Sequence, residues 1–214
     1  MKRLLTCLAA LGALALAGCG SKQDANEKNF GRAISQYLDK KGGLCLRLNT
    51  WPVDVSEFDL RLKKTTTTGT AGQMEALAAV GIATGTDEEV DQVGMFDNKP
   101  TGRKFKVKRY VLTDTGKKFY LEKEDQKVMQ GDICYGKKVL DRVVKWEGPM
   151  KFGDYQEANV KYLYKIENLA EWTKKNEFLS AFPYVGKIIE AAESEEQKHG
   201  VKLTSQGWEP KGLD

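Results

Sequence analysis

The sequence predicts an α+β fold in which an antiparallel sheet is packed with helices. Two observations support this prediction. Near the start, apolar residues recur at helical spacing. Further on, long segments alternate apolar and polar residues, as half-buried strands do, and the loop Glu147–Asp154 joins two of them as a hairpin.

In the N-terminal half, the pattern begins with a helix near Glu27–Lys40 that Gly42-Gly43 ends. The remaining elements are predicted in this order: strand Leu44–Leu48, short strand Phe58–Leu62, helix Ala71–Val80 opened by a Thr70–Gln73 capping box, a flexible turn region Thr84–Gly102, strand Lys104–Leu112, and a short helix Asp114–Tyr120 capped by Thr113.

The charged segment Lys123–Gln130 is the best internal boundary and predicts domains over residues 29–127 and 128–214. The second half is predicted as strands Ile133–Trp146 and Ala158–Ile166, a helix near Leu169–Lys175, a helix near Phe178–Gln197 interrupted or started at Pro183, and a closing strand Val201–Pro210.

The first eighteen residues have the layout of an export signal. Lys2 and Arg3 precede the apolar run Leu4–Leu16, which is too short to span a bilayer comfortably. The next residues, Leu16–Cys19, read LAGC and resemble the lipobox of bacterial lipoproteins. That resemblance implies cleavage before Cys19, acylation of Cys19, and a membrane anchor without a spanning helix.

The same resemblance implies a location in the bacterial envelope. Gly20 follows Cys19 where an Asp would resemble an inner-membrane retention signal, so the outer membrane, facing the periplasm, is favoured. Residues 19–28 are predicted to form a polar tether. Removing two of the 34 basic residues with the leader leaves 32 against 30 acidic residues, so the net charge falls from +4 to +2 and indicates no particular partner.

Two cysteines remain after Cys7 is removed and Cys19 is lipidated. Cys45 and Cys134 both lie in strand-like segments, and an oxidising compartment favours a disulfide between them over two buried thiols.

Residues 70–120 resemble the second half of a winged-helix domain. The segment Gln73–Gly85, a following strand and YVLTDTGKKFY (Tyr110–Tyr120) carry the resemblance. A recognition helix needs basic or amide groups that reach base edges, but this helix offers only Gln73 and Glu75. We therefore expect the topology of this family without nucleic-acid binding.

Lys104, Lys106 and Lys108 form a basic row on one strand face. This row is typical of a solvated face or of a protected edge strand. The alternative is contact with anionic lipid head groups or with an acidic partner protein.

The aromatic residues of the second half allow two interpretations. Tyr162 and Tyr164 share a strand face with Val160 and Ile166, which favours a core. Together with Trp146 and Trp208, they would otherwise line an apolar ligand groove.

Catalytic motifs are weak in this sequence. His199 precedes Gly200 at a predicted helix C-terminus, where it would complement the helix dipole. The acidic segment Gly85–Asp91 is typical of a solvated loop, with weak Ca²⁺ binding as the alternative. We expect no metal and no cofactor.

Three functions follow as hypotheses. The first is a non-catalytic binding or interaction lipoprotein with an envelope protein or a small ligand as partner. The second is a cell-wall or glycan enzyme with paired carboxylates. The third is a protein that sequesters an antibiotic, because Gly131–Ile166 resembles exported, non-hydrolytic proteins of carbapenem intrinsic-resistance loci.

Overall fold

A computed structural model describes residues 21–48, 50–62, 66–93, 99–123 and 130–213. The predicted leader and Cys19 lie outside these residues, as does most of the predicted boundary segment Lys123–Gln130. Helices and antiparallel sheets make up the described chain, which confirms the α+β class.

The larger sheet contains six strands among the described residues, and all its pairings are antiparallel. Its order is β1-β6-β7-β8-β9, and β5 also pairs with β6. The strands are β1 (Gly43–Cys45), β5 (Tyr120–Lys123), β6 (Gln130–Phe152), β7 (Tyr155–Glu167), β8 (Gln197–Thr204) and β9 (Gly207–Pro210).

Strands β6 and β7 confirm the predicted hairpin but extend further than predicted. β6 and β7 continue to Phe152 and Tyr155, which are paired, and only Gly153 and Asp154 form the turn. The predicted closing strand is a second hairpin, in which β8 and β9 pair from Val201 with Pro210 to Thr204 with Gly207.

The smaller sheet has the order β2-β4-β3, with β2 (Val53–Ser56), β3 (Ala83–Val93) and β4 (Pro100–Leu112). The prediction of a flexible turn region over Thr84–Gly102 is wrong, because β3 runs through most of it. Acidic residues are poor strand formers by themselves, but Asp87, Glu89 and Asp91 of β3 lie opposite lysines of β4 and gain a favourable cross-strand neighbour.

Helix α1 (Glu27–Lys41) confirms the first predicted helix. The Asn26 side chain caps it by accepting from the Asn29 N–H at 2.9 Å, and Phe30, Ile34 and Leu38 form its buried face. At its end the backbone of Gly42 closes against β6, since a Cβ there would lie within 2.4 Å of both the Leu38 and the Lys138 carbonyl oxygens. This contact fixes α1 on the sheet.

A second set of helices covers a second hydrophobic core, distinct from the one beneath α1. They are α3 (Thr70–Ala79), α5 (Asn176–Ala181) and α6 (Pro183–Glu190), with a 3-10 turn at Glu171–Lys174. Buried Met74, Leu77, Phe178 and Phe182 pack there with Tyr135 of β6. Contacts thus cross the predicted boundary at residues 127/128 extensively; the division into two domains stays a prediction.

Three short elements show where pattern and structure differ. Phe58–Leu62 belongs to helix α2 (Glu57–Leu62), because the Ser56 hydroxyl accepts from the Asp59 N–H at 3.2 Å and begins a helical turn. α3 has Gly69 as its N-cap without a side-chain hydrogen bond, so the Thr70–Gln73 capping box is wrong. Helix α4 (Asp114–Lys117) does have the predicted cap, with Thr113 Oγ1 accepting from the Gly116 N–H at 3.0 Å.

Candidate functional site

The lysine row lies on β4 and faces acids of β3. In the register, Lys104 is opposite Asp91, Lys106 is opposite Glu89, and Lys108 is opposite Asp87. Lys108 also lies opposite Val55 of β2, so β4 is a central strand there and edge protection does not explain this residue. Cross-strand pairs of opposite charge are favourable, and they balance the basic row within the sheet itself.

Arg109 joins all three strands of the smaller sheet. Its Nε and Nη2 donate to the two carboxylate oxygens of Asp54 at 2.7 Å each, and its Nη1 lies 3.1 Å from Glu88 Oε2. The hydrogen bond to Asp54 is the largest cause that raises the pKa of the Arg109 guanidinium above its usual value. Local sequence patterns do not indicate this role, because only the register shows which acids face Arg109.

A pocket of about 390 Å³ opens beside these pairs, between α2 and the β3–β4 strands. Glu57 and Leu60 line one wall, and Asp87, Glu89, Lys106 and Lys108 line the other. With Glu88 included, the lining carries four carboxylates and two lysines, so acidic groups outnumber basic ones. Such a surface suits polar or zwitterionic groups better than a strongly anionic one.

The predicted aromatic groove is filled by helix α1. Trp208, Tyr164 and Tyr162 are buried, and Phe30 of α1 packs with its ring centroid 4.9 Å from that of Trp208 and 5.2 Å from that of Trp146. Burial raises the pKa of Tyr162 to about 12. These three rings therefore belong to the core, and only Trp146 keeps a partly exposed edge.

His199 lies in strand β8, and its predicted place at a helix C-terminus is wrong. α6 ends at Glu190, and the chain has entered β8 before residue 199. The imidazole stacks on Tyr37 with ring centroids 3.7 Å apart, and its Nε2 is 3.1 Å from the Lys211 carbonyl oxygen. Burial lowers the pKa of His199, and the hydrogen bond to the carbonyl opposes that shift.

The predicted disulfide joins Cys45 of β1 to Cys134 of β6, across a sequence separation of 89 residues. Next to it lies a buried carboxylate that the sequence analysis missed. Asp132 accepts from the backbone N–H groups of Arg47, Leu48 and Ile133 at 2.8, 3.0 and 2.8 Å. These three hydrogen bonds give it a structural role, because they fix the backbone segment that follows β1.

The residues just before α1 do not form a free polar tether, contrary to the prediction for the part of residues 19–28 that is described. The Asn29 side-chain amide donates to the carbonyl oxygens of Ser21 and Asp24 at 2.8 and 2.9 Å. Trp208 Nε1 donates to the Gln23 carbonyl oxygen at 3.0 Å. These hydrogen bonds, including the one from the buried indole of Trp208, thus hold this segment against β9.

The β6–β7 hairpin ends in an exposed apolar face that was not predicted from the sequence. Met150, Phe152 and Tyr155 are 41, 64 and 42% exposed. Phe152 is paired with Tyr155, and Met150 lies two residues away on the same face. We call these three residues the hairpin tip.

The described parts of the chain contain neither a helix long and apolar enough to cross a membrane nor a group of three potential metal ligands. The acidic segment Gly85–Asp91 belongs to strand β3, which corrects its interpretation as a loop.

Comparison with known proteins yields no match to a family model, to a curated protein or to a solved structure.

Proposed function

We propose that the chain is a lipid-anchored envelope lipoprotein whose folded part faces the periplasm and acts as a non-catalytic binding module. The observation that carries this proposal is the LAGC sequence at Leu16–Cys19, preceded by a basic and then an apolar segment. In this proposal Cys19 is acylated, the leader is removed, and the folded part stays at the membrane, with the outer membrane favoured.

The Cys45–Cys134 disulfide supports export. Disulfides persist in oxidising compartments such as the bacterial periplasm and are rare in the cytosol. This one joins the first strand to the longest strand of the same sheet. A periplasmic location would allow it to form and to remain.

The smaller sheet supports the binding role. The succession of α3, β3, β4 and α4 is compatible with the winged-helix-like topology proposed for residues 70–120. Lys104 and Lys106 are exposed on β4 and stand beside exposed acids. We propose this mixed-charge surface as the contact for a polar envelope partner.

Metabolic labelling tests the anchor. Cells that express the full chain with radioactive palmitate should yield a labelled protein, and Cys19→Ser should abolish the label. Cys7→Ser is the matched control, because Cys7 belongs to the leader and its removal should leave labelling unchanged. An unlabelled wild-type protein in the soluble fraction would overturn the lipoprotein proposal.

Crosslinking in intact cells tests the binding surface. Replacing Lys104, Lys106 and Lys108 with Gln should remove a specific crosslinked species if the surface binds a partner. The control replaces three lysines elsewhere on the surface with Gln: Lys40, Lys41 and Lys118. Equal crosslinking by both variants and the wild type would contradict a role for the β3–β4 surface.

A further inference from the structure

We propose that the hairpin tip, formed by Met150, Phe152 and Tyr155, contacts the surface of the lipid bilayer that holds the chain. This inference rests on the proposed lipid anchor at Cys19 and adds a second point of membrane contact. Three features of the structure support it: the exposure of the hairpin tip, its position relative to the start of the folded chain, and the state of the Glu157 carboxylate on the same face.

Exposure is the first feature. Phe152 is 64% exposed and is paired with Tyr155 of the same hairpin, although burial of a Phe side chain away from water is favourable. Aromatic side chains and Met at the end of a hairpin are suited to the boundary between head groups and acyl chains, where aromatic residues are enriched. Lys151 points to the opposite side of the same strand and would stay among the head groups.

The position of the chain start is the second feature, and the strand register establishes it. Glu157 of β7 is paired with Lys202 of β8. Because the two strands are antiparallel, Thr204, two residues further along β8, lies level with Tyr155, two residues earlier on β7. Thr204 is paired with Gly207. The β8–β9 turn therefore lies at the same end of the sheet as the hairpin tip.

The first described residues lie at this same end. A Cβ built on Gly207 would lie 2.7 Å from the Lys22 carbonyl oxygen, and the Trp208 indole donates to the Gln23 carbonyl oxygen. Cys19 precedes Ser21 by two residues, which span no more than about 7 Å of extended chain. An acyl group on Cys19 would therefore bring the bilayer to the end of the sheet that carries the hairpin tip.

The carboxylate on the face of the hairpin tip is the third feature. Glu157 lies opposite Met150, and its Oε2 accepts from the Tyr155 hydroxyl at 3.0 Å and from Lys211 Nζ at 2.6 Å. These hydrogen bonds lower the pKa of Glu157, with the one from Lys211 as the largest cause. The charge is thus compensated within the protein, so this face approaches a bilayer without an unpaired carboxylate; Asp154, in the turn, would remain at the level of the head groups.

Tryptophan quenching by brominated phospholipid tests the contact. The acylated full chain is placed on vesicles of phosphatidylethanolamine and phosphatidylglycerol with brominated acyl chains. Phe152→Trp should show added fluorescence that the bromine atoms quench at least about twofold more than the four native tryptophans. The matched control is Leu121→Trp, because Leu121 is 59% exposed on β5, which pairs with the start of β6 at the far end of the sheet.

The outcomes separate this inference from the anchor on which it depends. Vesicle flotation and the mass of the acylated chain report the anchor on the same preparation. A chain that is acylated and floats, yet shows equal quenching of Phe152→Trp and Leu121→Trp, would overturn the hairpin-tip contact alone. A chain without an acyl group would overturn the anchor and the contact together. An intact disulfide and unchanged far-ultraviolet circular dichroism verify that both variants are folded.

Discussion

Asp132 shows how one buried carboxylate shapes the backbone around it. The chain leaves β1 at Cys45 and passes through Arg47, whose φ of 62° lies in the left-handed region. Such a conformation costs free energy for a residue with a side chain and persists where the surroundings fix it. Here the carboxylate of Asp132 accepts from the N–H groups of Arg47 and Leu48 and holds this segment in place.

Replacing Asp132 with Ala should therefore lower the free energy of unfolding by about 2–5 kcal/mol, because three backbone N–H groups lose their acceptor. Urea denaturation of the oxidised protein measures this loss. Asp132→Asn keeps one carbonyl oxygen and should cost less than Ala. An Ala variant as stable as the wild type would show that water replaces the carboxylate without penalty.

His199 should make the stability depend on pH in the mildly acidic range. Burial lowers its pKa in the folded state, so the unfolded chain binds more protons as the pH falls below about 6.5. This difference removes stability from about pH 6.5 downwards, until the folded-state pKa is also passed. Urea titrations at pH 7.5 and 5.5 should show a smaller loss for His199→Gln than for the wild type, and an equal loss would contradict the prediction.

At the scale of elements, the periodic segments were predictable and the charge-rich ones were not. α1 and β7 bury apolar residues at regular spacing, and β6 pairs with β7 along most of its length, so the spacing of the apolar residues carries the information. β3 has little apolar content, and its strand conformation depends on pairing with β4, which a local pattern does not contain. Phe58, Leu60 and Leu62 alternated by coincidence, since Phe58 and Leu62 are exposed on α2.

The opposed charges of β3 and β4 predict a compensating pair. Lys106→Glu places an acid directly opposite Glu89 and should cost less than about 1 kcal/mol of stability. The reversed double variant, Glu89→Lys with Lys106→Glu, should recover most of that loss. Thermal denaturation of the four proteins in this cycle measures the coupling, and additive losses would show that the two side chains do not interact.

At the scale of the whole molecule, helix α1 completes a hydrophobic core whose other residues come from the second half of the chain. α1 packs on β6 and β9, and Trp208 lies beneath it. Helix periodicity predicted α1 and strand periodicity predicted the sheet, but neither indicates that one covers the other. For that reason the sequence left two interpretations of the aromatic residues open, a core and a ligand groove, and it did not indicate the hairpin tip.

Phe30→Ala should destabilise the whole protein by about 3–5 kcal/mol, since it removes a fully buried ring between Trp146 and Trp208. Phe152→Ala is the matched control and should change the stability by less than about 0.5 kcal/mol, because that ring is exposed. Tryptophan fluorescence and circular dichroism should report the same urea midpoint. Two separate transitions would instead support independent domains.

The close approach at Gly42 has an evolutionary consequence. Any side chain at this position would have to enter the space of two carbonyl oxygens, one on α1 and one on β6, and would part the helix from the sheet. Selection can therefore change most surface residues freely but has a single amino acid available here. Homologues that keep this architecture should carry glycine directly after their first helix, followed by a strand with a cysteine, and this combination is a signature by which distant relatives can be recognised.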